Sequence, residues 1–320
     1  MKFQHLLVAA VVFAVANVAP VFGSDATSTG DISKRGLQKS DFPRWKELTP
    51  NVYAYEDTLG PMHGVTITSV SLVVVTTDGV VVVDGQNEVA QVQAMVQNIK
   101  KITPQPIKYV VIASDHTDHV GGNSAFKAAY PDVVFISSPV SQQRLLKRDH
   151  PATQTVAERR TIRLGKTDIE ILNLGRAHTG GDLVAYLPES KVLFMGEIYL
   201  HHVFPALTSA YPSEWTAVIR KAQGMDVSWY VAGHGFIDDA ATMKRDLEQS
   251  LAALEYVIAE GKRLHAAGET CESRTNCPAV QKADWGVYDG LTLRDMQAPI
   301  ALSKVYEEID GKLPPTTLVN

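Results

Sequence analysis

The stretch V-I-A-S-D-H-T-D-H-V-G-G, residues 111–122, places two histidines and two acids within five positions, at the end of an apolar run from Ile107 to Ala113. A run of that length, apolar apart from Lys108, reads as a strand buried on both faces. The polar cluster therefore sits where a strand meets a loop, a place that can present side chains while the strand holds them still. His116, Asp118 and His119 offer two imidazoles and a carboxylate, the donor types that first-row divalent metals take from proteins. Ser114 is the odd residue in the group, since a hydroxyl is a weak metal ligand beside an imidazole.

On either side of this segment the pattern alternates between strand and helix. Upstream, Val65 to Thr76, an Asp78-Gly79 turn and Val80 to Asp84 predict a hairpin. A helix follows, with Val89, Val92, Val96 and Ile99 on one face and Asn87 as its expected cap. Downstream, strands are predicted at 133–137, 160–164, 169–174, 183–187, 192–195 and 228–231, and helices at 140–148, 214–223 and 243–258. Such alternation argues for a layered α/β domain rather than a bundle or an all-β sandwich. Two further histidines stand in glycine-flanked loops after predicted strands, in A-H-T-G-G-D at His178 and A-G-H-G at His234. A lone histidine is usually an ordinary surface or core residue, but three sites sharing one strand-to-loop context point to a common crevice.

In order and spacing these motifs resemble the metallo-β-lactamase superfamily over roughly residues 50–239. The family's H-x-H-x-D-H stands here as S-D-H-T-D-H at 114–119, its later histidine as His178, its late acid as Glu197 in F-M-G-E, and its last histidine as His234. The V-V-V-D-G segment at Asp84 is similar to the family's early aspartate turn, which braces the metal loop. The resemblance implies an αββα four-layer sandwich with metal along one edge, here followed by a C-terminal helical appendage. It also implies that His116 and His178 serve a first metal, that Asp118, His119 and His234 serve a second, and that Glu197 bridges them.

Two departures bear on the chemistry: Ser114 replaces the family's first histidine, and Glu197 replaces its usual bridging aspartate. The first site is left with two good protein ligands, so one tightly bound zinc is expected at the second site, with a second zinc as an option. His201 and His202, shortly after Glu197, are candidates to repair the first site, and polar loop residues otherwise. His63, in G-P-M-H-G, is a candidate substrate contact.

The remaining features bound the setting. Of 320 residues, 45% are hydrophobic and 20% charged, an ordinary globular composition. With a formal charge of -5 and no Lys/Arg cluster, the chain lacks the footprint of a nucleic-acid binder. Lys2, an apolar run from Leu6 to Val18 and Val21-Phe22-Gly23 read as an export signal over 1–23, leaving no membrane segment after cleavage and a periplasmic or secreted protein. A polar linker is expected at 24–46, the metallo-β-lactamase-like domain at 47–260, and a C-terminal extension at 261–320 with a helix from Pro299 to Asp310. Cys271 and Cys277 suggest a small disulfide loop in an exported chain, worth about 2 kcal/mol by loop entropy. His5, His150 and His265 read as bystanders, and G-K-T at 165–167 as a turn, because Arg160 stands where a phosphate loop needs glycine. A G-x-S-x-G elbow and a G-x-G-x-x-G fingerprint are both absent, which removes the competing enzyme classes. The reading is thus a zinc hydrolase of a small carboxyl derivative, an ester, lactone, β-lactam, amide or thioester, with Asp118 and Glu197 as catalytic residues. Iron-dependent thiol or persulfide oxidation on the same fold, and a binding module without turnover, are the alternatives. Nothing in the pattern specifies an oligomeric state.

Overall fold

The computed structural model describes residues 29–146 and 152–315. The expected export signal, with His5, and also His150 fall outside these residues. In chain order the first elements are β1 (Arg44–Thr49), β2 (Val52–Met62), β3 (Val65–Thr76), β4 (Gly79–Val83), α1 (Val89–Ile102) and β5 (Ile107–Val111). Next come α2 (Thr117–Val120), α3 (Ser124–Ala129), β6 (Val134–Ser137), α4 (Pro139–Leu145), β7 (Gln154–Thr155), β8 (Arg159–Leu164) and β9 (Thr167–Leu172). The chain closes with β10 (Val184–Leu187), β11 (Val192–Leu200), α5 (Pro212–Gln223), β12 (Trp229–His234), α6 (Ala240–Ala266) and α7 (Arg294–Ile309).

The strands run in the order β7-β6-β5-β4-β3-β12-β11-β10-β9-β8, with β2 on β3 and β1 on β2. Each half of the sheet mixes parallel and antiparallel pairs: β4 to β7 are parallel to one another, and so are β11 and β12. The two halves join where His234 of β12 pairs with Ser69 of β3, and there the sheet curls on itself. Strand periodicity explains the layering. In β4, Val80 and Val82 turn outward to Val92, Met95, Val96 and Ile99 of α1, while Val81 and Val83 turn inward to the other half. The inner core continues through Val111, Ile169, Ile171 and Phe194 to Trp215, Val218, Leu254, Val257 and Val305 of α5, α6 and α7. Burying each such aliphatic side chain contributes about 1.5–3 kcal/mol. The result is an αββα sandwich whose strand ends come together at one edge.

Several boundaries differ from the sequence reading. Helix α1 is capped by Glu88, in a reciprocal box with Gln91, rather than by Asn87. The chain just before it is occupied with the metal loop, where the Gly122 N–H donates to the Gln86 carbonyl over 2.9 Å. Helix α7 begins at Arg294, so Pro299 lies in its interior, where the ring removes one helical donor. The expected linker holds two 3-10 turns and the start of β1, and Arg35 is tied to Asp238 at 2.8 Å. Strands β1 and β2 are absent from the sequence reading, because the E-D-T-L-G-P run of β2 lacks clean alternation. Cys271 and Cys277 are joined in a disulfide. The G-K-T segment is the turn between β8 and β9, with Gly165 at φ 60°. Among the described residues no helix is long and apolar enough to cross a membrane.

Candidate metal centre

Strand β5 ends at Val111, and the backbone of the following segment is held by one residue from the neighbouring strand end. Asp84 is fully buried, and its Oδ1 accepts the N–H of Ala113 at 2.7 Å and that of Ser114 at 3.4 Å. Its other oxygen stands 3.0 Å from His119 Nδ1, which leaves His119 Nε2 facing the cavity. The chain then turns into the short helix α2, which carries Asp118 and His119. Gly121 and Gly122 allow the close approach that follows: a Cβ on Gly121 would collide with the Asn87 carbonyl, and one on Gly122 with Glu88.

The loop after β9, the interior of β11 and the last residue of β12 complete the group. His119 Nε2 and His234 Nε2 face one another at 3.2 Å, and Asp118 Oδ2 lies 3.1 Å from His234 Nε2. His178 Nε2 lies 3.3 Å from His116 Nδ1. Glu197 stands between these pairs, with Oε2 2.9 Å from His116 Nδ1 and Oε1 3.2 Å from His178 Nε2 and 3.5 Å from His234 Nε2. Two donor groups result, Asp118/His119/Glu197/His234 and His116/His178/Glu197, and Glu197 belongs to both. Ser114 is buried and its hydroxyl donates to Glu197 Oε2, so the serine holds the shared carboxylate.

Ring nitrogens and carboxylate oxygens from two histidine pairs, Asp118 and Glu197 that converge at these separations are a donor set that fits divalent cations. The electrostatics agree. Burial opposes the charged form of Glu197, but His178, His119 and His116 outweigh it and hold the carboxyl well below the usual range. Burial also opposes ionisation of Asp118, yet His119 and His234 bring it down to about 2. In the metal-free site burial would lower His234, but Asp118 and Glu197 raise it to about 9; His119 is likewise held well above its ordinary value. Protons and metal compete for the same lone pairs. Zinc uptake at pH 7 is therefore expected to release protons, and its affinity to climb as pH rises towards 9. Calorimetry in buffers of different ionisation heats would read the release, and a pH-independent affinity would contradict it.

The Asp84 brace makes a separate prediction. Asp84→Asn keeps the shape but loses the charge beside His119, and metal affinity is expected to fall about 10- to 100-fold. Competition against a chromophoric chelator would measure it, and unchanged affinity would mean that Asp84 acts on the backbone only.

The other candidate residues lie elsewhere. His201 and His202 are buried but face Asp246 of α6, away from the first metal group, and form a separate cluster with it. Leu200 lines the cavity and His201, next to it, turns the other way, while the chain leaves the strand at His202, with φ 53°, and brings its ring 3.0 Å from Asp246. His63 sits at the tip of the β2–β3 hairpin and lines a different cavity, beside Asp31, Lys34 and residues 289–296. Its hairpin neighbours Leu59 and Met62 line the metal-centre cavity instead. That cavity measures about 510 Å³ and has apolar walls that include Ile67, Leu200 and Val203, with Asp115, Arg144 and Gln297 as polar points. Leu293 and Gln297 reach it from the C-terminal segment, whose fold was expected to be an appendage. Gln297 and Arg144 carry no local pattern that could have marked them. Asp182 was visible in A-H-T-G-G-D: its carboxylate accepts from Thr179 N at 2.7 Å and shapes the His178 loop. The edge of Trp215 against the His178 ring, at 5.2 Å between centroids, is a long-range contact from α5.

Comparison with known proteins agrees with the fold and the order of these motifs. The chain is 25% identical over 209 residues to a metallo-beta-lactamase type 2 of Elizabethkingia meningoseptica, an alignment covering 63% of this chain and 83% of that one. It is 23% identical over 134 residues to the 2,4-dinitroanisole O-demethylase subunit alpha of a Nocardioides strain, covering 41% of each. Among solved structures, a metallo-beta-lactamase from Pontibacter korlensis superposes with a TM-score of 0.60 at 23% identity, over 67% of this chain and 99% of that one. The model of the metallo-beta-lactamase superfamily matches residues 63–234, more than half of the chain and the span that holds every residue of the two donor groups. By its fold and by that match, the chain belongs to the metallo-beta-lactamase superfamily.

Proposed function

We propose that the protein is an exported, zinc-dependent hydrolase of a small carboxyl derivative: an ester, lactone, β-lactam, amide or thioester. The observation that carries the reading is Glu197, which is shared by two buried donor groups at the floor of an open, largely apolar cavity. His119, His234, Asp118 and Glu197 would hold the tightly bound ion, and His116, His178 and Glu197 a weaker one. When bound, zinc supplies a water of lowered pKa and a Lewis acid for the carbonyl oxygen.

The chain's own residues do the rest. Asp118 is ionised at neutral pH and its side chain is 22% exposed, so the carboxylate oxygen that does not hold the ion can accept a proton of the attacking water and orient it. Glu197 is kept ionised and in place by Ser114 and three imidazoles, which fixes the spacing of the two groups. Leu59, Met62, Ile67 and Leu293 exclude bulk water from the acyl side of the substrate. The Cys271–Cys277 disulfide supports an oxidising compartment, in keeping with an export signal over 1–23 and a periplasmic or secreted location. In this reading residues 47–260 are the catalytic body, and the segment from 261 onward closes part of the cavity.

The test is a hydrolysis panel covering the five carboxyl classes, run with purified mature protein and zinc. Turnover of at least one class that is lost on chelation and restored by zinc is the expected result. No turnover of any class by zinc-loaded protein would overturn the reading.

A further inference from the structure

The residues that leave the metal centre unrepaired gather at a second place. Tyr199 and His201 alternate with Leu200 at the end of β11, so they turn away from the cavity and towards α6. There His202 Nδ1 lies 3.0 Å from Asp246 Oδ1, and His201 Nε2 lies 3.8 Å from Asp246 Oδ2. One donor atom from each of His201, His202 and Asp246 falls within 4.8 Å of the others, and all three residues are buried. His201 is 0% exposed and neither of its ring nitrogens has a well-aligned hydrogen-bond partner; the same holds for His202 Nδ1. Buried polar atoms are nearly always paired, because stripping them of water without a replacement bond is unfavourable. The two imidazole rings, 4.2 Å apart and tilted by 40°, therefore leave both His201 nitrogens without a well-aligned bond, while His202 Nδ1 has only the Asp246 carboxylate at 3.0 Å.

We propose that His201, His202 and Asp246 form a second, structural site for a divalent transition cation of the zinc type, distinct from the metal centre. Two neutral imidazoles and a carboxylate are the donor set such cations take. Arg35 does not add an uncompensated positive charge, since Asp238 holds it through two bonds of 2.8 and 2.9 Å. Asp238 Oδ2 stands 3.7 Å from His201 Nε2 but is held by Arg35 and lies outside the group of three, so His201, His202 and Asp246 are the site's protein ligands. Tyr199 donates from its hydroxyl towards Asp246 Oδ2 at 2.9 Å and orients the carboxylate, as outer partners of metal ligands do.

A cation here would join the end of β11 to α6. It would also support the metal centre at one remove, because the His201 N–H donates to the carbonyl of His234 over 3.0 Å. The inference does not depend on the hydrolase reading, since it concerns metal content and stability rather than turnover.

The experiment is zinc stoichiometry by mass spectrometry on mature protein unfolded and refolded in zinc, because a buried site fills as the chain folds. Asp246→Asn and His202→Gln are each expected to bind about one zinc per chain less than wild type while keeping the zinc of the metal centre. Unchanged stoichiometry in both variants would overturn the proposal. If neither variant folds, anomalous diffraction at the zinc edge on wild-type crystals decides: a peak among His201, His202 and Asp246 is expected, and its absence would sink the site.

Discussion

Replacing His119 with alanine is expected to empty the tighter metal group and to lower kcat/KM for hydrolysis roughly 10³-fold. The side chain is fully buried, with Nε2 3.2 Å from His234 Nε2 and Nδ1 3.0 Å from Asp84 Oδ2. Its removal takes one donor from a set of four, leaves Asp84 and Asp118 without the imidazole that chiefly stabilises their charge, and takes from Glu197 one of its three. With its largest favourable neighbour gone, Asp118 should rise from about 2 towards the ordinary carboxylate range. Metal content and turnover should fall together, and added zinc should not restore turnover. His63→Ala is the control: it lies in a different cavity and should change kcat/KM by less than about threefold. A His119→Ala protein that keeps wild-type zinc and activity would show that the chemistry lies elsewhere.

Gly233→Ala should be among the most damaging single methyl groups in the chain's second half. A Cβ at this position would sit 2.5 Å from the carbonyl carbon of Gly196, 2.7 Å from its oxygen and 2.9 Å from the nitrogen of Glu197. All three are backbone atoms, so no side chain can rotate away and β11 and β12 must part. The strands part beside the register pair Gly196 and Ala232, between the two residues that carry Glu197 and His234 into the centre. Overpacking of this kind costs about 1–3 kcal/mol, enough to lower Tm by roughly 2–5 °C in a domain of this size. Metal affinity should fall with it, because two ligands shift together. Gly290→Ala makes the comparison, as nothing lies within 4 Å of its Cβ. Thermal unfolding of the two variants should separate them clearly, and equal midpoints would refute the packing account.

Much of the architecture was legible in the chain because the deciding signals are local. The Ile107–Ala113 run, the valines of β4 and the spacing of α1 each state their own burial pattern, and the glycine-flanked histidines stand at strand ends in an order that resembles one family. Helix caps and edges were less legible. Asn87 looked like a cap, but its neighbours are engaged by the metal loop, and the early start of α7 depends on Gln297 and Ala298 being buried against the body.

The roles of residues at chemically similar positions could not be settled locally. His201 and His202 lie as near to Glu197 in sequence as a repairing ligand should, yet strand alternation turns His201 to the far side and α6 supplies Asp246 to meet both. Ser114 reads as a defect in a metal motif, whereas in the fold its hydroxyl holds the shared Glu197 carboxylate. By itself the sequence determined the layered fold, the strand ends that bear donors and the donor types, because hydrophobic period and turn chemistry act over a few residues. Only the tertiary structure decided which donors share an ion and which residues wall the cavity, because those facts depend on where distant strands and helices bring their side chains within about 3–4 Å of one another.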